Sequence, residues 1–292
     1  MPVTKSPLRY PGGKTQLYQF VKEIIALNDI NECTYIEPYS GGFGTGVELL
    51  LNNDVSSVVI NDFDRSIYSL WFSILNHTEL LIQLIEQTPI SIEEWYRQKE
   101  IHEEFKECRY SIENGFSTLF LNRTNRSGII GAGPIGGYNQ EGKYKLDCRF
   151  NKTDIVNKIK NIAEQRNRID LLQLDALQLI DLIPNNYNSQ DTFIFFDPPY
   201  YVQGKNLYTN FYNHENHEEL AQNIASLDDY YWITTYDYSP QIQEMYNAFP
   251  NQAFSYELLY SAQKKRKATE FLFASCKTVL PTNNYKVELN PI

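Results

Sequence analysis

Apolar residues follow two different periods in the first part of the chain. Over residues 16–27 they recur on one helical face, whereas residues 55–62 form a β-branched run typical of a strand. Between them, residues 34–37 predict a short strand, which a glycine-rich turn (41–46) and an apolar helix start (47–51) follow. The order strand, loop, helix, strand predicts half of a doubly wound parallel sheet.

The pattern changes after residue 65. Long helical patterns cover 66–86 and 93–107, and a stretch rich in Gly, Asn and Arg, 122–151, then fits neither period. A further amphipathic helix contains Ile155, Ile159 and Ile162.

Strand patterns return in the last third of the chain. They cover residues 170–175, 192–197, 230–236, 254–262 and 270–276, with a helix at 215–227 among them. The simplest architecture is an α/β core made of residues 1–64 and 170–292. Residues 65–169 interrupt it as an insertion large enough to form a small, mostly helical domain.

The charge is negative overall but unevenly distributed. A net charge of −10 argues against a generic nucleic-acid binder, because binding to phosphates requires basic residues. From Arg109 to Arg168, however, eleven Lys and Arg face five Asp and Glu, and Lys264 to Lys267 form a second basic cluster. An acidic body with basic faces is compatible with DNA, and an ordinary solvated surface explains the charges equally well.

Composition limits the other classes of function. No apolar run has membrane-spanning length, so we expect no membrane association and a cytoplasmic location. The four cysteines lie far apart without a Cys-x-x-Cys pair, which predicts buried free thiols and no metal site.

The turn after the first predicted strand suggests a nucleoside ligand without phosphates. A dinucleotide motif would need glycine where Val47 stands, and a phosphate loop ending at Lys14 would need glycine at Leu8. Asp62 closes the second strand, where a carboxylate can accept hydrogen bonds from ribose hydroxyls, and Glu37 could face an amino group. An ordinary helix cap is the alternative role for Asp62.

A second motif follows the predicted strand over 192–196, which is apolar throughout as expected of a strand buried on both faces. It is directly followed by Asp197-Pro198-Pro199-Tyr200. The prolines stiffen the turn, so that Asp197 and the Pro198 carbonyl can accept the two N–H groups of an exocyclic amine. Tyr200 offers a flat face for a flipped base, although a simple strand-ending turn is the alternative.

These motifs resemble the Dam-type (D12 class) family of N6-adenine DNA methyltransferases over nearly the whole chain. The matching segments are Pro7 to Lys14, Glu37 to Gly42, Asn61-Asp62, Leu121 to Thr124 and Asp197 to Tyr200. The resemblance implies a Rossmann-like, S-adenosylmethionine-dependent methyltransferase core whose mostly parallel sheet ends in an antiparallel hairpin. It also implies that insertion 65–169 recognises duplex DNA and that the methyl group passes directly to N6 of a flipped adenine.

The resemblance also assigns residues. The catalytic residues would be Asp197, Pro198 and Tyr200. The cofactor-binding residues would be Tyr10, Lys14, Glu37, Tyr39, Ser40, Gly41, Gly42, Asp62, Asp175 and Asp197. The DNA-contacting residues would be Arg123, Asn125, Arg126 and Ser127, on a hairpin expected around 122–128, together with Arg149. Each arginine could instead pair with a carboxylate of the insertion. Where GATC-specific members have an aromatic residue and Asn, this chain has Arg126 and Ser127, which leaves GATC as its target in doubt.

Three rival functions remain at this point. Methyl transfer to N4 of cytosine or to a protein glutamine acts on a similar planar amine. The family resemblance implies that such enzymes have Ser or Asn where this chain has Asp197. The third is a catalytically inactive DNA-binding regulator, against which the intact motifs argue. A cognate restriction endonuclease is an expected partner, in the nucleoid-containing cytoplasm of a prokaryote or a phage-infected cell.

Overall fold

The computed structural model describes residues 4–9, 14–202, 212–260, 266–282 and 287–292. Strands within these residues form one sheet in the order β3-β2-β1-β4-β5-β7-β6-β8. Their bounds are β1 Thr34–Glu37, β2 Ser57–Asn61, β3 Ile169–Leu172, β4 Thr192–Phe196, β5 Tyr231–Asp237, β6 Gln252–Tyr260, β7 Arg266–Ala274 and β8 Asn290–Pro291. The first five strands pair in parallel and the last three antiparallel. The predicted α/β class and the antiparallel hairpin at one end of the sheet are confirmed.

Helices cover both faces of this sheet. Their bounds are α1 Tyr18–Leu27, α2 Gly44–Leu51, α3 Arg65–Asn76, α4 Thr78–Gln87, α5 Ile92–Phe105, α6 Ile112–Thr124, α7 Lys152–Ala163, α8 Ala176–Asn186, α9 His214–Ala225 and α10 Pro240–Asn247. Among the described residues, no helix combines the length and the apolar character needed to cross a bilayer.

Three predicted elements differ from the structure. The pattern over 66–86 is two helices rather than one, because the chain leaves helical geometry at His77 between α3 and α4. The last strand residue before α8 is Leu172 rather than Asp175, which caps α8 instead. In place of the hairpin expected around 122–128, residues 122–124 are the last turn of α6 and 126–128 form a 3₁₀ turn, and the antiparallel pairing there is a single bridge between Asn125 and Pro134.

The two faces of the sheet form two hydrophobic clusters. Alternation along a strand sends Tyr35 to one face, with α1, α2, α3 and α7, and Ile36 to the other, with α8, α9 and α10. Phe193 and Ile194 divide in the same way on β4. Since insertion helices α3 and α7 share a cluster with β1 and β4, the insertion is packed directly on the core, and its separation as a domain stays a prediction.

The sheet reverses its strand order between β1 and β4. From β1 the chain continues to β2 on one side, whereas from β4 it continues to β5 on the other. Parallel α/β sheets bind ligands in the crevice that such a reversal opens at the carboxyl ends of the strands. Glu37 ends β1 and Asp197 follows β4, so both predicted motifs lie at this crevice.

The cysteine prediction is correct only in part. All four cysteines are free thiols, but only Cys33 is buried. Cys108, Cys148 and Cys276 are exposed. The spacing of cysteines along the sequence carries no information about their burial.

Candidate active site

Glu37 places a buried carboxyl group at the end of β1. Only 7% of the residue is exposed, and Tyr35 Oη donates a 2.6 Å hydrogen bond to its Oε1. Burial raises the pKa of Glu37 to about 8, against the lowering effect of the Tyr35 hydrogen bond. A cationic group next to Glu37 would favour the ionised form, so the site suits a ligand with an ammonium group.

The glycine turn after Glu37 is held from three directions. The Gly41 amide donates to Asp62 Oδ2 at 2.8 Å, and the Gly41 carbonyl accepts from Trp71 Nε1 at 3.0 Å. Ser6 Oγ donates to the Gly42 carbonyl at 2.5 Å. Gly41 has a φ of 47°, the left-handed conformation that glycine adopts most easily. The turn is therefore fixed by the core, the N-terminal segment and α3.

Asn61, the first residue of the Asn61-Asp62 motif, joins three loops of the site. It is fully buried, and its Nδ2 donates to the carbonyls of Pro38 at 2.9 Å and Leu174 at 3.0 Å. Its Oδ1 accepts the Leu174 amide at 2.9 Å, and its own amide donates to Ser40 Oγ at 3.0 Å. Asn61 thus ties the segments that follow β1, β2 and β3 to one another.

Asp62 lies directly after β2, at the mouth of the crevice. Besides Gly41, it accepts the Asp64 amide on Oδ1 at 2.9 Å. Burial, with the neighbouring charge of Asp64 as the second cause, raises the pKa of Asp62 to about 7. Hydroxyl donors from a ligand would offset this cost of burying the carboxylate.

The far end of the crevice is aromatic. Tyr39 and Tyr212 hydroxyls lie 3.0 Å apart with their rings edge to face. Asp175 caps α8 by accepting the Leu177 amide at 2.9 Å, within a reciprocal capping box with Gln178. The predicted cofactor residue Tyr10 lies outside the described residues.

Asp197 is oriented through one of its two oxygens. Its Oδ1 accepts from Thr235 Oγ1 at 2.8 Å and lies 3.0 Å from Lys14 Nζ. Its Oδ2 has no hydrogen-bond partner among the described residues, and 24% of the side chain is exposed. Burial raises the pKa of Asp197, an effect that Lys14 opposes and the nearby Glu270 increases. One acceptor oxygen is therefore held by Thr235 and Lys14, whereas the other accepts no hydrogen bond from the described residues.

The rest of the tetrapeptide is anchored by residues that the sequence did not single out. Tyr200 is buried, and its hydroxyl donates to Glu270 Oε1 at 2.6 Å. The amides of Tyr201 and Val202 donate to the two oxygens of Asp237 at 2.8 and 3.0 Å. Thr235, Asp237 and Glu270 all belong to β5 and β7, whose pairing brings them to the site.

The predicted DNA-contacting residues divide into buried and exposed groups. Arg126 and Arg149 are exposed, and Ser127 is partly exposed with a φ of 59°. Arg123 is 8% exposed, and within the described part of the chain its guanidinium donates to the Arg149 carbonyl at 3.4 Å.

Asn125 is buried and already engaged. Its Oδ1 accepts from Trp95 Nε1 at 2.6 Å, and its Nδ2 donates to the carbonyls of Ile129 at 3.2 Å and Ile130 at 2.7 Å. It therefore shapes the loop that carries Arg126, and a direct DNA contact from Asn125 stays a prediction.

The N-terminal segment is joined to the same loop. The Arg9 amide donates to Asn122 Oδ1, and Asn122 Nδ2 donates back to the Arg9 carbonyl, both at 2.8 Å. Asn122 also donates to the Gly128 carbonyl at 2.8 Å. Gly128 has a φ of +80°, and a Cβ there would lie 2.4 Å from the Arg9 carbonyl oxygen. The junction of core and insertion thus requires glycine at 128.

The polar side chains of the crevice fit S-adenosylmethionine as a ligand. Its acidic groups, Glu37, Asp62 and Asp197, are suited in turn to an ammonium group, to ribose hydroxyls and to the neighbourhood of a positively charged sulfur. No group of three or more potential metal ligands occurs among the described residues.

The sheet order and the two motifs at its reversal point define a Rossmann-like methyltransferase core. The family model for D12 class N6 adenine-specific DNA methyltransferases matches residues 10–279. The chain belongs to this family and is a site-specific, adenine-specific DNA methyltransferase, which confirms the resemblance and the enzyme class predicted from the sequence. Family and fold together imply S-adenosylmethionine as the methyl donor in general.

Two relatives and one solved structure are similar to the chain. Type II methyltransferase M.MjaIII of Methanocaldococcus jannaschii is 26% identical over 243 residues, which cover 76% of this chain and 79% of that protein. Type II methyltransferase M.CviBI of Paramecium bursaria Chlorella virus NC1A is 27% identical over 199 residues, 67% of this chain and 69% of that protein. The rRNA methyltransferase aviRa of Streptomyces viridochromogenes superposes with a TM-score of 0.42 at 10% identity, covering 92% of this chain and 88% of that chain.

Proposed function

We propose that this enzyme transfers a methyl group from S-adenosylmethionine to N6 of an adenine flipped out of duplex DNA. The observation that carries the proposal is the arrangement of Asp197, which is held through Oδ1 while its partly exposed side chain leaves Oδ2 without a hydrogen-bond partner among the described residues. A neutral exocyclic amine needs such an acceptor, because its nitrogen becomes a better nucleophile when its N–H groups are held out of the plane of the base.

The cofactor would lie across the carboxyl ends of β1 to β4. Glu37 would hold its ammonium group, Asp62 its ribose hydroxyls, and Asp175 would flank its adenine. Tyr39, Ser40, Gly41 and Gly42 would form the wall, and Tyr10 and Lys14 would complete the site. When bound, the cofactor supplies a methyl group on a sulfonium sulfur, which keeps the S–C electron pair as the methyl leaves.

The protein's own contribution is orientation and charge. Asp197 Oδ2 and the Pro198 carbonyl would each accept one N–H of the target amine, which directs the N6 lone pair toward the methyl group. As the N–C bond forms, N6 acquires positive charge, which the carboxylate of Asp197 stabilises. One N6 proton then passes to Asp197 Oδ2 and on to solvent. The face of Tyr200 would stack on the flipped base.

The insertion, residues 65–169, would recognise the DNA as a domain of its own. Arg126 and Arg149 are exposed and are the candidates for phosphate or guanine contacts. Arg123, Asn125 and Ser127 would act beside them. Because Arg126 and Ser127 stand where GATC-specific members have an aromatic residue and Asn, we expect the enzyme to recognise a sequence other than GATC.

The test is an incubation of the protein with methyl-labelled S-adenosylmethionine and plasmid DNA, followed by digestion to nucleosides and sequencing of the modified positions. Label in N6-methyladenine at one repeated sequence is the expected result. Label only in cytosine or in protein, or no label, would contradict the proposal. Asp197→Ala, run in parallel, should abolish labelling while DNA binding persists.

We further propose a cognate restriction endonuclease that cuts the same sequence, and action on nucleoid DNA in the cytoplasm. Two relatives carry names of type II methyltransferases, and DNA is the substrate. Once the methylated sequence is known, plasmid modified by this enzyme should resist endonuclease activity in lysates of the source cell. Equal cleavage of modified and unmodified plasmid would argue for a solitary methyltransferase.

A further inference from the structure

A buried carboxylate on β7, that of Glu270, contacts the last residue of the tetrapeptide 197–200 and the lysine next to Asp197. Glu270 is 2% exposed, and no sequence motif drew attention to it. Its Oε1 accepts the Tyr200 hydroxyl at 2.6 Å, and its Oε2 accepts the Tyr256 hydroxyl at 2.6 Å. Lys14 Nζ lies 3.3 Å from the same Oε2. Charged groups are rarely buried this deeply unless they have such partners.

The strand pairing explains why Glu270 reaches the site. In the antiparallel part of the sheet, Glu270 stands opposite Tyr256 on β6 and opposite Asp237 on β5. It therefore lies at the edge where β4 ends and Asp197 begins, and the Tyr256 hydroxyl fixes its carboxylate from the far side.

Tyr200 is held at the hydroxyl end of its ring. Its hydroxyl donates to Glu270 and accepts from Lys14 Nζ at 2.9 Å. Two hydrogen bonds at the tip of a buried phenol hold its hydroxyl in place and so fix the direction in which the ring extends. Glu270 and Lys14 therefore hold Tyr200 at the position where a flipped base would stack.

Glu270 also takes part of the charge of Lys14. The ammonium lies 3.0 Å from Asp197 and 3.3 Å from Glu270, so one cation is shared by two carboxylates. With Glu270 neutral, Lys14 would pair with Asp197 alone and would reduce the negative charge near the nitrogen that becomes positive during transfer.

We propose that Glu270 is a positioning residue for methyl transfer, which orients Tyr200 and shares Lys14 with Asp197, so that Lys14 does not pair with the Asp197 carboxylate alone. The proposal rests on the roles given above to Asp197 and Tyr200. In this proposal Glu270 acts on the reaction through its contacts with Tyr200 and Lys14.

The test compares Glu270→Gln with wild type in steady-state methylation of a DNA duplex containing the identified sequence. Because small misplacements of reacting groups are costly, kcat should fall about 100-fold, while KM for DNA and for the cofactor changes by less than about threefold. The matched control is Glu257→Gln, the same change on neighbouring β6, where Glu257 is exposed and pairs with Lys267. A kcat for Glu270→Gln within twofold of the control would overturn the proposal.

The pH profile separates positioning from a merely structural role. Loss of the Glu270 charge removes one of the causes that raise the pKa of Asp197, while Lys14 and Thr235 remain and Glu37 is unchanged. The acid limb of kcat should therefore move to lower pH in Glu270→Gln. A lower kcat with an unmoved limb would assign Glu270 to structure alone and contradict the proposal.

A second variant keeps the proposal testable if Glu270→Gln folds poorly. Tyr200→Phe retains the ring and removes only the hydroxyl that Glu270 holds, so its kcat should fall in the same direction. The double variant should lose little more than the worse single variant, since both act through one contact. Wild-type rates for Tyr200→Phe would contradict the proposal. Failure of wild type to methylate adenine would instead contradict the proposed function, so the two failures are distinguishable.

Discussion

Thr235 donates a 2.8 Å hydrogen bond from strand β5 to Oδ1 of Asp197, the residue that follows the adjacent strand β4. The bond holds one oxygen of the carboxylate, and Oδ2 accepts no hydrogen bond from the described residues. A threonine on one strand thus orients the carboxylate on the next strand for which we propose the catalytic role.

Thr235→Val should lower kcat with little effect on DNA binding. Valine keeps the shape but removes the donor, and a hydrogen bond to a charged group contributes about 1.5–3 kcal/mol, so kcat should fall by about 10- to 100-fold. Steady-state kinetics measures this. Thr234→Val is the control, because alternation along β5 sends that side chain to the opposite face. Equal kcat values for the two variants would show that Asp197 does not need the bond.

The buried acids of the proposed cofactor site predict an unusual pH dependence of stability. The pKa of Glu37 is about 8 in the folded protein and 4.5 when unperturbed, so the folded state retains a proton that the unfolded state releases. The free energy of unfolding should therefore fall as pH rises from about 4.5 to about 8, with a slope of up to about 1.4 kcal/mol per pH unit for this group.

Thermal unfolding of the protein without cofactor, measured across this pH range, checks the prediction. Asp62, whose pKa is raised to about 7, adds to the slope between its ordinary value and neutrality. Glu37→Gln should remove the contribution of Glu37, whereas Glu244→Gln, an exposed acid on α10, should leave the slope unchanged. A slope that survives Glu37→Gln unaltered would show that Glu37 is ionised in the folded protein.

Asn61→Ala should loosen the cofactor site as a whole. The substitution leaves the carbonyls of Pro38 and Leu174 and the Leu174 amide without their partner, at a cost of about 1–3 kcal/mol for each group that stays buried. Urea denaturation should show a loss of about 3 kcal/mol or more, and calorimetry should show weaker binding of S-adenosylmethionine. Asn76→Ala, which removes one exposed local bond at the end of α3, is the control. Equal affinity in both variants would mean that these loops do not hold the cofactor.

The sequence predicted the sheet and both motifs because their signals are local. A buried parallel strand reads as an apolar run, and a glycine turn or a double proline stands directly after it. Helix α6 gave no such signal. Its residues are buried on nearly every face, including Asn114, Ser117 and Asn122, so apolar and polar positions do not alternate with a helical period.

The supporting residues could not be predicted for a different reason. Thr235, Asp237 and Glu270 act on Asp197 and the residues after it only because β7 pairs antiparallel with β5. Register between strands is a tertiary property, and a single Glu in an apolar strand is indistinguishable along the sequence from a solvent-facing position. The sequence therefore predicted the two motifs of the site, and the strand pairing adds the residues that support them.

Arg126→Ala should weaken DNA binding without weakening the fold, because Arg126 is exposed. Its guanidinium lies against Gly133, where an added Cβ would be 2.9 Å from Nη2. Titration of a labelled duplex should show about a tenfold higher Kd, with relaxed site preference if Arg126 reads a base and a smaller salt dependence if it contacts a phosphate. Asn125→Ala should instead lower stability, since its amide is buried. Arg166→Ala, before the amino end of β3 and opposite the site, should change neither property. Unchanged affinity and site preference in Arg126→Ala would remove Arg126 from the interface.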